Sequence, residues 1–168
     1  YLFSSEDHGR SWEYRARIAE GFNETFLYET DAGDLVAFVR NWGGDEVRLY
    51  LAWSSDGGET WSTPEALWKG YPACAVRLPS GKVLVAYGYR FKGPGVRARV
   101  MSAECAVQES SKEIVIRADG ATWDLGYPDS TLLPDGRILV VYYTNTRSDA
   151  PDITAPKFIE GCLLREVK

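Results

Sequence analysis

Histidine is almost absent from this sequence, because His8 is the only one among 168 residues. This scarcity excludes most histidine-based catalysis and metal ligation. His8 itself lies in a glycine-containing turn, and we expect no catalytic role for it. The three cysteines are spaced too widely for a disulfide framework or a zinc site; they are Cys74, Cys105 and Cys162. We therefore expect neither a metal nor a cofactor.

Long apolar runs are lacking as well. None approaches the ~20 residues that a membrane-spanning helix needs, and no signal peptide is recognisable. The only methionine is Met101, so the chain as numbered has no initiating residue and its length need not be that of a domain. The net charge of −5 argues against binding to a phosphate backbone. We expect neither nucleic acid nor a membrane as partner, and the compartment stays open.

The sequence is rich in aromatic and turn-forming residues. Aromatic side chains make up 13% of the chain, which also has 16 glycines and 8 prolines, a composition typical of turn-rich all-β proteins. Three units, at 27–40, 76–87 and 132–143, each consist of a strand, a glycine turn and a β-branched strand. This is the pattern of a β-hairpin.

Two eight-residue boxes with the pattern S-x-D-x-G-x-[ST]-W begin 49 residues apart. A third slot at 102–109 keeps only the serine and an acid. The serine and aspartate oxygens can accept hydrogen bonds within the turn, the glycine adopts a positive φ, and the tryptophan packs between sheets. We therefore predict a structural role for Ser5, Asp7, Gly9 and Trp12 in the first box and for Ser54, Asp56, Gly58 and Trp61 in the second.

Together the boxes and hairpins give four short strands in each ~50 residues, which indicates the blades of a β-propeller. We predict an all-β fold with about three blades and thirteen strands, half of a six-bladed ring. The end of one blade would occupy 1–20, and three further blades 21–68, 69–118 and 119–168. The predicted strands include 25–30, 34–40 and 47–54, with a fourth starting near Trp61.

The boxes are identified as Asp-boxes, also called BNR repeats, and the chain resembles the sialidase (neuraminidase) superfamily. The segments 95–99 and 124–143 resemble bacterial sialidase-like BNR proteins in particular. The resemblance implies the C-terminal half of a six-bladed propeller. It also implies that the family's general acid, an aspartate, and the first arginine of its triad belong to two blades that this sequence does not contain.

Residue by residue, the resemblance implies a base at Glu24 and an arginine sixteen residues later at Arg40. It implies a further arginine at Arg97, with Arg99 as the alternative, and a nucleophile at Tyr127. Pro128 follows that tyrosine where the family usually has serine. We also predict Arg90 as a substrate contact, since it ends a strand in the next blade as Arg40 does.

These residue types suit an acidic sugar. Sialic acid bears a carboxylate on its anomeric carbon, which would repel an anionic nucleophile, and sialidases use a tyrosine instead. A phenol with a pKa near 10 needs a base to take its proton, and Glu24 is the candidate. Arginines bind a carboxylate through charge-assisted, often bidentate, hydrogen bonds.

Each assignment has an ordinary alternative. Glu24 could be a solvated residue at a strand start, and Arg40 a repeat feature matched by Arg90. Arg97 could be a strand-edge cation. Tyr127 could be a packing residue, because the preceding blade repeats its Tyr-Pro dipeptide at 71–72.

Three functions stay open at this point: a sialidase-like glycoside hydrolase or a piece of one, a non-catalytic glycan-binding or scaffold propeller, and a hydrolase for another sugar. With the acid and one arginine outside the sequence, we do not expect the lone chain to be a competent sialidase. The expected partners are an acidic glycan and either a second copy or an N-terminal half, which would close the propeller.

Overall fold

A computed structural model describes residues 1–41, 47–107, 111–145 and 156–167. These ranges contain thirteen strands, no helix, and four antiparallel sheets that follow one another along the chain. The prediction of an all-β protein built from propeller-type sheets is confirmed. The strands are β1 (Leu2–Ser4) and β2 (Glu13–Ala16); β3 (Phe22–Glu29), β4 (Leu35–Asn41), β5 (Leu49–Ser54) and β6 (Glu65–Ala66); β7 (Ala73–Arg77), β8 (Val83–Tyr89), β9 (Gly95–Met101) and β10 (Ile114–Arg117); and β11 (Gly126–Leu132), β12 (Arg137–Asn145) and β13 (Lys157–Arg165).

The core consists of side chains packed between neighbouring sheets, and β8 shows how one strand serves two interfaces. Val83, Val85 and Tyr87 point to the sheet of β3–β6 and join one apolar cluster. Leu84 and Ala86, at the alternate positions, join a second cluster shared with the sheet of β11–β13. Because successive strand side chains face opposite ways, a strand buried on both faces is apolar almost throughout.

The edge strand β6 departs from the sequence prediction. It was expected near Trp61 but comprises only Glu65 and Ala66. Pro64 explains the delay, since proline has no N–H to donate and restricts the residue before it.

Both complete Asp-boxes form hydrogen-bonded turns. In the second, the Ser54 hydroxyl donates to Asp56 Oδ1 at 2.7 Å and accepts from the Gly58 N–H at 2.8 Å. The Thr60 N–H and hydroxyl donate to the two Asp56 oxygens at 2.9 and 2.5 Å. The first box repeats this network around Asp7. Gly9 and Gly58 have φ values of 82° and 92°, the left-handed region that favours glycine.

The two box tryptophans differ in their surroundings. Trp61 donates to the Gly58 carbonyl at 3.2 Å and packs against an apolar cluster next to the first sheet. Trp12 is 63% exposed, so the structure does not place it between sheets as expected. In the degenerate third slot, the last two positions, Gln108 and Glu109, lie outside the described residues.

We expect Asp56→Ala to lower the thermal midpoint of unfolding, because it leaves the turn N–H and hydroxyl donors without their acceptor. Hydrogen bonds from Thr60 and then Ser54 lower the pKa of Asp56 from 3.8 to about 2. A carboxyl whose folded-state pKa is lowered stabilises the fold fully above its unfolded pKa, and the contribution is lost as the pH falls through the folded value. The difference from wild type should therefore shrink between pH 6 and pH 3.

Differential scanning calorimetry at both pH values would measure this difference, with Glu104→Ala as the control. Glu104 is the exposed acid at the matching position of the degenerate slot. A difference for Asp56→Ala that is no larger than the control's, or that grows on acidification, would contradict the structural role of the box.

Candidate active site

Two β-bulges place the central pair of the site. The β3–β4 register shifts between Phe22 and Thr25, and Glu24 lies within that irregularity. The β11–β12 register shifts between Gly126 and Asp129, where Tyr127 adopts a positive φ of 46°. A bulge redirects side chains out of the regular alternation of a strand. In both sheets the bulge lies at the beginning of the sheet's first strand, β3 or β11.

The side chains of Glu24 and Tyr127 meet although they are 103 residues apart. The Tyr127 hydroxyl donates a hydrogen bond to one carboxylate oxygen of Glu24. Arg40 Nη1 donates to the other carboxylate oxygen at 2.6 Å. Tyr127 is 48% exposed. The structure thus brings together three of the residues that the sequence singled out, with the phenol open to a ligand.

Electrostatics keep the proton on the tyrosine in this resting arrangement. Burial raises the pKa of Glu24, but the hydrogen bonds from Tyr127 and Arg40 outweigh it, and the net pKa lies below the usual value of 4.5. The hydrogen bond to Glu24 and then burial raise the pKa of Tyr127. Glu24 is therefore ionised at neutral pH and accepts the hydrogen bond of the phenol whose proton a base would remove.

Arg90 joins this cluster from just after β8. Its Nε donates to the Leu125 carbonyl at 3.0 Å, and its Nη2 lies 3.5 Å from the Tyr143 hydroxyl. Its guanidinium carbon lies 5.2 Å from the centre of the Tyr127 ring, within the range of a cation–π interaction. Arg90 also lowers the pKa of Glu24 through its charge.

The Tyr-Pro dipeptide has a different environment in each of its two sheets. Tyr71 is buried, and the Arg40 guanidinium carbon lies 4.0 Å above its ring. Tyr127 is half-exposed and contacts Glu24. The repeated dipeptide therefore supplies a support for Arg40 in one sheet and an accessible hydroxyl in the next.

Two glycines allow the sheet of β7–β10 and the sheet of β11–β13 to approach closely beside the site. A Cβ added to Gly88 would lie 3.3 Å from the Gly126 Cα, and one added to Gly126 would lie 2.9 Å from the Gly88 Cα. Gly126 also has a φ of 110°. Any side chain here would push the sheets apart, so these glycines fix the position of the neighbouring Tyr127.

Arg97 and Arg99 lie outside the cluster. The Arg97 side chain is only 7% exposed, donates to the Gly93 carbonyl at 2.9 Å and to the Arg117 carbonyl, and faces Glu113 at 3.3 Å. Arg99 donates to the Ser111 carbonyl at 2.7 Å. Neither placement supports the expectation of a substrate arginine from β9.

Sequence reasoning missed the groups that border the cluster on the sheet of β11–β13. The Tyr143 hydroxyl donates to Asp124 Oδ1 at 2.5 Å, and its ring stacks on that of Tyr127 with centroids 5.9 Å apart. Burial and the hydrogen bond to Asp124 raise the pKa of Tyr143. The sequence position of Tyr143 could have indicated this contact, because Tyr143 lies near the end of a hairpin whose other strand begins beside Tyr127.

Among the described residues, no group of three or more His, Cys, Asp or Glu side chains could hold a metal ion. The same part of the chain contains no helix that is long and apolar enough to cross a membrane.

Stacked antiparallel sheets with Asp-box turns define a β-propeller protein of the sialidase-like BNR type. The chain belongs to the BNR repeat-like domain family, whose model matches residues 1–140. A solved structure of a protein of unknown function from Dyadobacter fermentans DSM 18053 is 42% identical, with a TM-score of 0.86 over 96% of this chain and 44% of that one. Among proteins with curated descriptions, none matches the sequence.

More distant structures share the fold. An α-L-arabinanase from Penicillium chrysogenum, complexed with arabinobiose, is 18% identical, with a TM-score of 0.69 over 95% of this chain and 53% of that one. A mutant of the NanB sialidase from Streptococcus pneumoniae is 20% identical, with a TM-score of 0.67 over 97% and 27%. The chain thus spans about half the length of the first two relatives and resembles propellers that act on glycans.

Proposed function

We propose that these residues form the tyrosine, carboxylate and arginine part of a glycoside hydrolase site for terminal acidic sugars, as in sialidases. The observation that carries the proposal is the Tyr127 hydroxyl, which donates to a carboxylate that Arg40 also binds. This is the arrangement that a tyrosine nucleophile and its base require. The fold shared with an arabinanase and a sialidase supports a carbohydrate as the ligand.

In the proposed reaction, the Tyr127 oxygen forms a bond to the anomeric carbon while the bond from that carbon to the departing sugar oxygen breaks. The phenol proton passes to Glu24. The departing oxygen needs a proton from a general acid, which the resemblance places in blades outside this sequence. Water then attacks the anomeric carbon as the bond to the Tyr127 oxygen breaks. The general acid, ionised by the first step, takes a proton from that water, and Glu24 returns its proton to the Tyr127 oxygen.

The charges in the cluster favour an anionic sugar. Glu24 contributes one negative charge, whereas Arg40 and Arg90 contribute two positive charges, so the cluster carries a net positive charge before a substrate binds. A substrate carboxylate would supply the balancing negative charge and accept charge-assisted hydrogen bonds from an arginine.

A side-by-side assay of acidic and neutral substrates tests this function. With the propeller completed by further polypeptide or by a second copy, we expect the protein to release N-acetylneuraminic acid from sialyllactose and to leave arabinobiose intact, with both reactions followed by chromatography of the free sugars. Cleavage of arabinobiose alone would contradict an acidic substrate. Binding of sialyllactose without release would instead indicate a glycan-binding propeller.

We propose that completion of the active site depends on polypeptide beyond these residues or on a second copy.

A further inference from the structure

Trp123 lies beside the cluster and has no role in the proposed reaction. It belongs to the loop between β10 and β11, and its side chain is 55% exposed. The guanidinium carbon of Arg90 lies 5.8 Å from the centre of its ring. Since Arg90 also lies 5.2 Å from the Tyr127 ring, one cation borders both the proposed nucleophile and an exposed indole.

The loop that carries Trp123 is held firmly by Asn145, a fully buried residue at the end of β12. The Asn145 Oδ1 accepts from the N–H groups of Ala121 and Thr122 at 2.7 and 3.0 Å. Its Nδ2 donates to the Asp124 carbonyl and to the Thr122 hydroxyl, both at 2.8 Å. These four hydrogen bonds hold residues on both sides of Trp123 in the sequence. The exposed indole therefore lies in an ordered turn.

The other tryptophans of the described chain show that this position is unusual. Trp53, Trp61 and Trp68 are half-buried and pack against apolar clusters. Trp12 is exposed but lies in the first Asp-box turn. Trp123 alone among these five combines exposure with a cation–π contact to an arginine of the cluster. An indole fixed in this way offers a flat apolar surface to a ligand at the site.

We propose that Trp123 is a platform for the second sugar of the substrate, a neutral hexopyranose joined to the acidic sugar at Tyr127. The C–H face of a pyranose ring is apolar and covers an indole, while its hydroxyls stay in water. This inference rests on the proposed function. The Trp123 platform makes the site selective for oligosaccharides, because an acidic sugar without a second ring would gain no contact with Trp123.

Calorimetric titration with two ligands tests the platform: sialyllactose, in which a hexopyranose follows the acidic sugar, and the methyl α-glycoside of N-acetylneuraminic acid, which lacks that ring. We expect Trp123→Ala to weaken sialyllactose binding about tenfold, the size expected for one lost aromatic contact. Its affinity for the methyl glycoside should stay at the wild-type value. Trp12→Ala, at another exposed tryptophan, is the matched control and should bind both ligands as the wild type does.

Each other outcome has a distinct meaning. If the wild type binds neither ligand, the proposed function fails, and this inference fails with it. If the wild type binds both and Trp123→Ala is unchanged, only the platform is overturned. Equal weakening for both ligands also overturns it, because Trp123 would then act on the acidic sugar. A circular dichroism spectrum and a thermal midpoint equal to those of the wild type would verify that the Trp123→Ala variant is folded.

Discussion

Tyr127→Phe is expected to abolish the release of acidic sugar while leaving the fold and glycan binding nearly intact. The substitution removes only the hydroxyl that would attack the anomeric carbon. Loss of a nucleophile lowers kcat by on the order of 10⁴ to 10⁶ in enzymes where it has been measured. The phenyl ring keeps its stacking on Tyr143, and Glu24 keeps its hydrogen bond from Arg40.

The measurement is kcat for sialyllactose together with calorimetric binding of the same ligand. The matched control is Tyr14→Phe, since Tyr14 is exposed on β2 and should lose its hydroxyl without effect. Loss of a nucleophile should leave far less than a hundredth of the wild-type turnover. If Tyr127→Phe kept more than about a hundredth, the hydroxyl would not be the nucleophile. Equal loss of binding would point instead to a role in holding the substrate.

The sheets were predictable because each hairpin carries its own local signal. The glycine turns and the apolar runs that become β4, β8 and β12 depend only on neighbouring residues, as do the hydrogen bonds around Asp7 and Asp56. The edge strand β6 was predicted less well, because its pairing to β5 involves only two residues after a proline.

The cluster itself could be predicted only through the family resemblance. No period in the sequence connects Glu24 with Tyr127 across 103 residues, and both residues lie in bulges that interrupt the strand alternation. Arg97 shows the opposite case. Its position matched a substrate arginine, but three backbone carbonyls and Glu113 engage its guanidinium. Position in the sequence alone carries no information about such partners.

Trp123 and Tyr143 were missed for a related reason. The position of Trp123 depends on Asn145, which holds the loop before β11 from the end of β12, whereas Tyr143 comes beside Tyr127 through the pairing of β12 with β11. A buried asparagine has no distinctive sequence pattern, so the placement of this loop emerges only when the hairpin is assembled. The same assembly brings Arg90, just after β8, to the carbonyl of Leu125, just before β11.

Replacement of the Glu24 carboxylate is expected to have the second large effect on turnover. We expect Glu24→Gln to lower kcat for sialyllactose by about 10² to 10⁴, the range for loss of a general base. Glutamine has the same shape, and its oxygen can still accept the Tyr127 hydrogen bond, so the fold should persist. Glu20→Gln is the control, because Glu20 is a highly exposed acid whose ion pair with Arg17 lies on the surface.

The pH profile distinguishes a base from a merely structural acid. Glu24 can take the phenol proton only when it is ionised, and its pKa lies below 4.5. The acid limb of kcat/KM, which reports the free enzyme, should therefore fall below pH 4.5 in the wild type and vanish in Glu24→Gln. Arg40→Met removes a hydrogen bond and a charge that lower the pKa of Glu24, so it should move the limb to higher pH. An acid limb that persists unchanged in Glu24→Gln would belong to another group, and Glu24 would then not be the base.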